Sequence, residues 1–438
     1  MSDTEIEALR RRVAELEAEN AHLRLHNQEP KPQAHSDANG DLGLSLAEYR
    51  RYGRQMIVPE FGSLPAQLKL KNARILVVGA GGLGCPALLY LATAGIGTIG
   101  IVDNDIVEHS NLHRQVLHTT ARVGMLKCES AKTYLNQLNP HVRVELHTVR
   151  LSNENSFDII GAYDLVVDCT DTPATRYLIN DVSVLSGKPI VSGSGVTTHG
   201  QLSILNFGNS GPCYRCFYPQ PPKPESVCTC GDSGVFGPAI GLTGVMLAIE
   251  TIKVLTGHYD TCFAPFLLLY SAYPPSLRSF KMRGRKTDCA VCGAEPTITK
   301  EIIESGAVDY HVFCGSVSYN VVAAEERLSA VDAHRLLNTN KRALLIDVRP
   351  KEQYLICNIA NSQNIEWERT LSRADSIEQY FPPDFRDCDP ILVICRYGND
   401  SRHALRRLKD VLRYRNVYDV VGGVDGWSKD IDPLLPQY

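Results

Sequence analysis

Three groups of residues have types and spacings that could do chemistry. The first is Gly79-Ala80-Gly81-Gly82-Leu83-Gly84, between the β-rich run Arg74–Val78 and a helical stretch, Pro86–Thr93. A GxGxxG turn in that place brings the backbone close to a phosphate at a helix N-terminus, where free N–H groups and the helix dipole favour anions. Asp103 ends the next strand, Thr98–Val102, placed to bond a ribose hydroxyl. The second group is Cys213-Tyr-Arg-Cys216 with Cys289-Ala-Val-Cys292. One CxxC pair can be redox-active, but two can close a tetrahedral zinc tetrathiolate, which ties a long segment together and serves folding rather than catalysis. The third is Cys395-Arg396-Tyr397-Gly398-Asn399-Asp400, between the strand Ile391–Ile394 and a helix starting near Ser401. A cysteine there meets backbone N–H groups and a helix dipole, and both stabilise a thiolate or persulfide.

Alone, the glycine loop and Asp103 describe a nicotinamide dehydrogenase. Ser110-Asn111-Leu112-His113-Arg114-Gln115, then Lys127, then Asp171 within Asp168-Cys169-Thr170-Asp171, argue otherwise, and Arg54 adds a further cation upstream. A triphosphate needs such cations and a magnesium carboxylate, because charge moves onto the phosphates when an acyl group attacks. Between the CxxC pairs, Pro219 to Gly234 is rich in proline and glycine and carries Cys228 and Cys230, which predicts thiols on a surface loop. A phosphatase C-x5-R loop does not fit the third group: Ser401 stands at the arginine place and Arg402 lies one residue too far.

In this order the first set of motifs resembles the ubiquitin-activating-enzyme superfamily, most closely its MoeB/ThiF-type adenylyltransferases, over roughly residues 46–292. The resemblance implies that Gly82, Asp103, Ser110, Asn111, Leu112, His113, Arg114, Lys127, Asp171 and Thr172 contact ATP and that Asp171 holds Mg2+. It implies that Arg54 reaches the nucleotide of the partner subunit in a homodimer and that Cys230 accepts an acyl group. Thr172 stands where that family usually has Asn. Leu345 to Pro350, the Cys395 loop and Val420 to Trp427 resemble the rhodanese family over about residues 329–438. Together the two halves are similar to the molybdopterin synthase adenylyltransferase/sulfurtransferases. That likeness implies adenylation of the C-terminal glycine of a ubiquitin-like sulfur carrier, either a ubiquitin-related modifier or the molybdopterin synthase small subunit. A persulfide on Cys395, loaded by a cysteine desulfurase, would then give a thiocarboxylate for tRNA wobble-uridine thiolation, molybdenum cofactor synthesis or both. The alternative is a modifier-activating enzyme for protein conjugation with an accessory rhodanese domain.

The elements that must position these residues follow from length and pattern. The 438 residues exceed one compact core, so two or three domains are expected. Residues 5–25 carry an apolar heptad seam (Ile6, Leu9, Val13, Leu16, Leu23, with Asn20) of marginal length for an isolated helix. The expected order is an N-terminal helix at 1–29, a linker at 30–45, the adenylating domain at 46–294, a linker at 295–328 and the rhodanese domain at 329–438. The expected fold is α/β: a Rossmann-like open mixed sheet with a zinc knob, then a smaller α/β domain. Strands are expected at Asp164–Asp168, Pro189–Val191 and Ala343–Val348, and helices at Arg176–Leu185 and Ser401–Leu412. The apolar stretch Val235–Leu255 contains Pro238, Glu250 and Lys253, which favours a buried helix over a membrane span. A formal net charge of −4 provides no basic field for nucleic acid, and the run Arg402–Arg415 reads as a solvated helix face. Fourteen cysteines and a polar N-terminus suggest reduced thiols in the cytosol. Cys85, Cys128, Cys169 and Cys262 read as packing.

Overall fold

A computed structural model describes residues 43–223, 233–315, 318–386 and 388–438, together with Arg12 and Glu15. The seam residues of the N-terminal helix, Cys228 and Cys230 lie outside the described residues.

The chain enters through α1 (Leu46–Met56) and α2 (Ser63–Asn72). A reciprocal cap starts α1: the Glu48 N–H donates to Ser45 Oγ and the Ser45 N–H to Glu48 Oε2, which satisfies two orphan donors of the first turn. Then come β1 (Arg74–Val78), α3 (Gly84–Thr93), β2 (Thr98–Val102), α4 (Lys127–Leu138), β3 (Arg143–His147), α5 (Ser156–Gly161), β4 (Leu165–Asp168), α6 (Pro173–Leu185) and β5 (Ile190–Val196). Three antiparallel strands extend this parallel set: β6 (His199–Leu205), β7 (Phe266–Ser271) and β8 (Ser276–Lys281). The short α7 (Tyr214–Phe217) and the long α8 (Gly237–Thr256) lie between β6 and β7 in the chain. The sheet order is β3-β2-β1-β4-β5-β6-β7-β8.

Alternation along β1 explains the layering. Ile75 and Val77 join a core with Leu88 and Leu91 of α3 and Leu247 of α8, while Leu76 and Val78 join one with Tyr177 and Val182 of α6. Helices therefore cover both faces, and each strand of the centre reads as a continuous apolar run. The helix α8 packs on α3, β5 and β6, in keeping with its reading as a core helix. The order reverses between β1 and β4, and Val78 pairs with both Val102 and Asp168, so three strand ends open on one crevice.

The stretch expected to be a linker, 295–328, is largely built into the two halves. It carries α9 (Lys300–Glu304) and α10 (Tyr310–Cys314), whose Ile303 and Tyr310 are buried in the α6 face of the large sheet. It ends in β9 (Arg327–Leu328), the edge strand of a second sheet. The remaining elements are α11 (Ala330–Thr339), β10 (Leu344–Asp347), α12 (Lys351–Ile356), β11 (Gln363–Asn364), β12 (Ile391–Ile394), α13 (Asp400–Arg406), β13 (Val417–Val420) and α14 (Gly423–Asp430). The order is β11-β10-β12-β13-β9, all parallel.

The basic run is a solvated face only at its end, where Arg413 and Arg415 are exposed. Arg402 donates to the Tyr319 carbonyl, Arg406 to that of Val321 and Arg407 to that of Ala374, while Lys409 and Arg406 pair with Glu326. Arg402, Arg406 and Lys409 thus fasten residues 319–326 to α13 and the turn after it.

Candidate functional site

The crevice at the ends of β1, β2 and β4 is a cleft of about 860 Å³. Its floor is the glycine turn. Gly79 has φ +99°, and a Cβ on Gly84 would lie 1.8 Å from the Gly79 carbonyl oxygen, so both positions require glycine. Asp103 braces that turn, accepting from the Ala80 N–H at 2.8 Å and the Asp105 N–H at 2.9 Å. Its role in the fold is therefore wider than the expected ribose contact.

Gly82, Asp103, Asn111, Arg114, Lys127, Asp171 and Thr172 all line this cleft. Ser110, Leu112 and His113 belong to the same tight turn but not to its lining. That turn is held from within: Arg114 donates to Asn111 Oδ1 at 2.7 Å and to the Ser110 carbonyl at 3.2 Å, and the His113 ring meets the same carbonyl at 3.0 Å. Lys127, at the start of α4, is buried and pairs with Asp105 at 2.8 Å. Arg54 lies exposed in the last turn of α1 and does not line the cleft.

Asp168, at the end of β4, shapes the opposite wall. Its Oδ1 accepts from the Thr170 N–H and hydroxyl, and its Oδ2 from the Ser192 hydroxyl. Arg176 closes the arrangement, donating to the Thr170 and Gly193 carbonyls at 2.7 and 2.9 Å and pairing with Asp168 at 3.4 Å. The exposed Asp171 is thereby presented on a rigid turn.

Sequence reasoning missed Asp105 and Arg176 as cleft residues, while Gln115, the last residue of the Ser110–Gln115 motif, does line the cleft. Asp105 follows Asp103 by two positions, which was a legible signal; Arg176 sits within a helix pattern and gave none. Gln115 Oε1 is buried without a hydrogen-bond partner among the described residues and belongs to a residue lining the cleft. An unpaired buried acceptor beside a glycine turn fits a polar ligand.

The four cysteines of the CxxC pairs converge. All are buried, and their sulfurs lie within 4.8 Å of one another. Measured edges are 3.8 Å (Cys213–Cys216), 3.5 Å (Cys213–Cys289) and 3.4 Å (Cys216–Cys292). A tetrahedron with Zn–S of about 2.3 Å has S···S edges of roughly 3.8 Å, so the set fits a zinc ion with little adjustment. Hydrogen bonding from Cys213 lowers the Cys216 thiol pKa. Arg215, between Cys213 and Cys216, reaches Asp181 of α6 through three N–H contacts of 2.8–3.0 Å. Tyr310 of α10 donates to the same carboxylate at 3.0 Å.

The remaining cysteines of this half divide. Burial pushes the Cys85 and Cys128 thiols up to about 12 and raises Cys169 well above the ordinary range, as packing residues require. Cys262 differs from the expectation: it is exposed.

In the second sheet, Asp347 pairs with Ile394, so the residues following β10 and β12 emerge side by side. Cys395 follows β12. Its Sγ accepts from the Gly398 and Asn399 N–H groups, both at 3.1 Å. The neighbouring Gly422-Gly423 turn must be glycine, since a Cβ on Gly423 would lie 2.3 Å from the Cys395 carbonyl oxygen and both residues have positive φ. The expected anion-stabilising loop is thus present, but Cys395 is only 3% exposed. Burial raises its thiol pKa, with the hydrogen bonds of the loop working against it.

Residues 52–291 match the ThiF family, and residues 329–430 match the Rhodanese-like domain. The chain is similar to the "Adenylyltransferase and sulfurtransferase UBA4" of Scheffersomyces stipitis, 57% identical over 436 residues, which are 99% of this chain and 98% of that one. It is 55% identical over 441 residues to the protein of the same name from Candida albicans, covering 100% of each. Among solved structures, E. coli MccB with a MccA-N7isoASN aligns at 25% identity and a TM-score of 0.49, over 56% of this chain and 74% of that one.

Proposed function

The chain belongs to the ThiF family and carries a rhodanese-like domain, and from that premise we propose that it adenylates the C-terminal glycine of a ubiquitin-like sulfur carrier and then converts it to a thiocarboxylate. The observation that carries this reading is the cleft in which a glycine turn faces Arg114, Lys127 and Asp171. Its chemistry suits a nucleotide triphosphate under attack by a carboxylate.

In the first step the carrier carboxylate attacks the α-phosphate of ATP, giving an acyl-adenylate and pyrophosphate. Arg114 and Lys127 offset the phosphate charge, and Arg54 would do so for the partner subunit of a homodimer. Asp171 would hold Mg2+, which supplies further charge stabilisation at the phosphates. Cys230 then takes the acyl group as a thioester. A persulfide on Cys395, its outer sulfur supplied by a cysteine desulfurase, attacks the acyl carbon and displaces the Cys230 thiolate, and a thiol reductant then cleaves the acyl disulfide to free the thiocarboxylate and the Cys395 thiol. The cysteine tetrad holds zinc as a structural ion. The product would serve tRNA thiolation, molybdenum cofactor synthesis or both, in the cytosol.

The test is mass spectrometry of candidate ubiquitin-like proteins after incubation with the chain, ATP and a sulfur donor. One sulfur gained for one oxygen lost at the C-terminus supports the reading. If Cys395→Ala leaves that yield unchanged, conjugation with an accessory rhodanese domain becomes the better reading.

A further inference from the structure

Behind the sulfur-carrying thiol lies a buried polar chain that the steps above do not use. Ser401 Oγ is 3.3 Å from Cys395 Sγ and 2.5 Å from Asp419 Oδ1 on β13. Arg327 Nε on β9 donates to the other oxygen, Asp419 Oδ2, at 2.7 Å. Ser401 and Asp419 are fully buried. The register of the sheet sets the last contact, since Asp419 pairs directly with Arg327.

The bonding fixes directions. Asp419 accepts from the Arg327 guanidinium through Oδ2 and from the Ser401 hydroxyl through Oδ1. The Ser401 hydrogen therefore points to Asp419, which leaves the Ser401 oxygen lone pairs for the thiol hydrogen of Cys395. The thiol must lose that hydrogen to act as a nucleophile. The charged groups bearing on Sγ are Asp400 from its own loop and, through Ser401, Asp419 with Arg327 behind it. Asp400 works against ionisation of the thiol.

We propose that Ser401 and Asp419 carry the thiol proton away from Cys395 during sulfur loading, with Ser401 as the catalytic member and Asp419, held by Arg327, as its positioning residue. This rests on Cys395 being the sulfur carrier. In the step, Sγ attacks the outer sulfur of a donor persulfide R–S–SH. The Sγ–H bond breaks and the Sγ–S bond forms, while the inner R–S to S bond breaks and R–S⁻ leaves. The Cys395 proton passes to Ser401 Oγ as the Ser401 proton passes to Asp419 Oδ1, and the leaving thiolate finally takes up one proton through solvent. The sum is R–S–SH plus Cys395–SH giving R–SH plus Cys395–S–SH, with no outside oxidant.

The test is single-turnover loading of the full chain from glutathione persulfide, followed across pH by mass spectrometry of the Cys395 peptide. Ser401→Ala is expected to slow loading roughly 10²-fold near neutral pH, the low end for a lost acid–base group. The deficit should shrink as pH rises and hydroxide removes the proton instead. Ser401→Thr, which keeps the hydroxyl, should restore most of the rate, and Asp419→Asn should fall between. Thermal melting of each variant checks folding; if Asp419→Asn does not fold, the Ser401 pair alone decides. A Ser401→Ala chain that loads at the natural rate with the natural pH profile overturns the relay but leaves the sulfurtransferase reading intact. Failure of the natural chain to load Cys395 at all overturns both.

Discussion

Cys395 is buried, yet two backbone N–H groups point at its sulfur. Burial raises its pKa, with the hydrogen bonds of the loop working against it, so the protonated thiol dominates near neutral pH. Iodoacetamide labelling of the Cys395 peptide should therefore lag behind that of the exposed Cys262 at pH 7 and rise with pH. Labelling of Cys395 as fast as Cys262 at pH 7 would contradict this. Asp171 is the exposed carboxylate of a turn that Asp168 and Arg176 hold rigid. Asp171→Asn should lower ATP–pyrophosphate exchange by roughly 10²-fold, the scale of losing one preorganised electrostatic group, with no change in melting temperature. Cys230→Ala should retain exchange and lose the reducible adduct with the carrier, read on a non-reducing gel.

At the scale of elements, α1 is tied to α2 through Glu48, which caps the helix and pairs with Lys71 at 2.9 Å. Burial opposes ionisation of Glu48, but hydrogen bonds from Lys71 and Ser45 outweigh it and leave the pKa lowered. A lowered carboxylate pKa stabilises the fold above the unfolded value of about 4.3 and loses that contribution as pH falls through the folded value. Glu48→Gln should therefore cost about 1 kcal/mol at pH 7, and the difference from the natural chain should shrink once pH falls below the unfolded value of about 4.3. Melting temperatures measured from pH 7 to 3 check the sign. The short helices α9 and α10 were illegible in the sequence because five residues are too few for a 3.6-residue period to register. The antiparallel β6 to β8 lacked a hairpin signal: the turn between β5 and β6 is Thr197-Thr198, with Thr197 at φ +53°, rather than Asn-Gly or Asp-Gly.

Over the whole molecule, one buried network joins the four-cysteine cluster, the helix α6 that begins at the cleft, and the segment leading to the second sheet. Asp181 lies on α6, whose N-terminus follows Asp171, and it binds both Arg215, between Cys213 and Cys216, and Tyr310 of α10. Arg215 also stacks on Tyr177 and Phe313, each at 4.8 Å. Asp181→Ala would leave Arg215 buried without its partner, a loss of about 3–5 kcal/mol. Urea unfolding should show that loss, and zinc retention during chelator challenge should weaken with it. Removing the metal from the natural chain should lower its melting temperature, with zinc measured by atomic absorption; a folded chain with no zinc and an unchanged melt would sink the structural-ion reading.

The sequence by itself determined whatever depends on neighbours in the chain. The glycine turn, the spacing of Cys213, Cys216, Cys289 and Cys292, the loop after Cys395 and the strands around them are local patterns, and local sterics or ligand geometry dictate them. Only the tertiary structure decided which charges meet. Arg402, Arg406 and Lys409 looked solvated until residues 319–326 folded back to occupy them. Arg327 looked like part of a linker until strand pairing set it beside Asp419. A side chain's charge is written in its own residue, but its partner is chosen by packing between segments far apart in the chain, and no spacing rule records that choice.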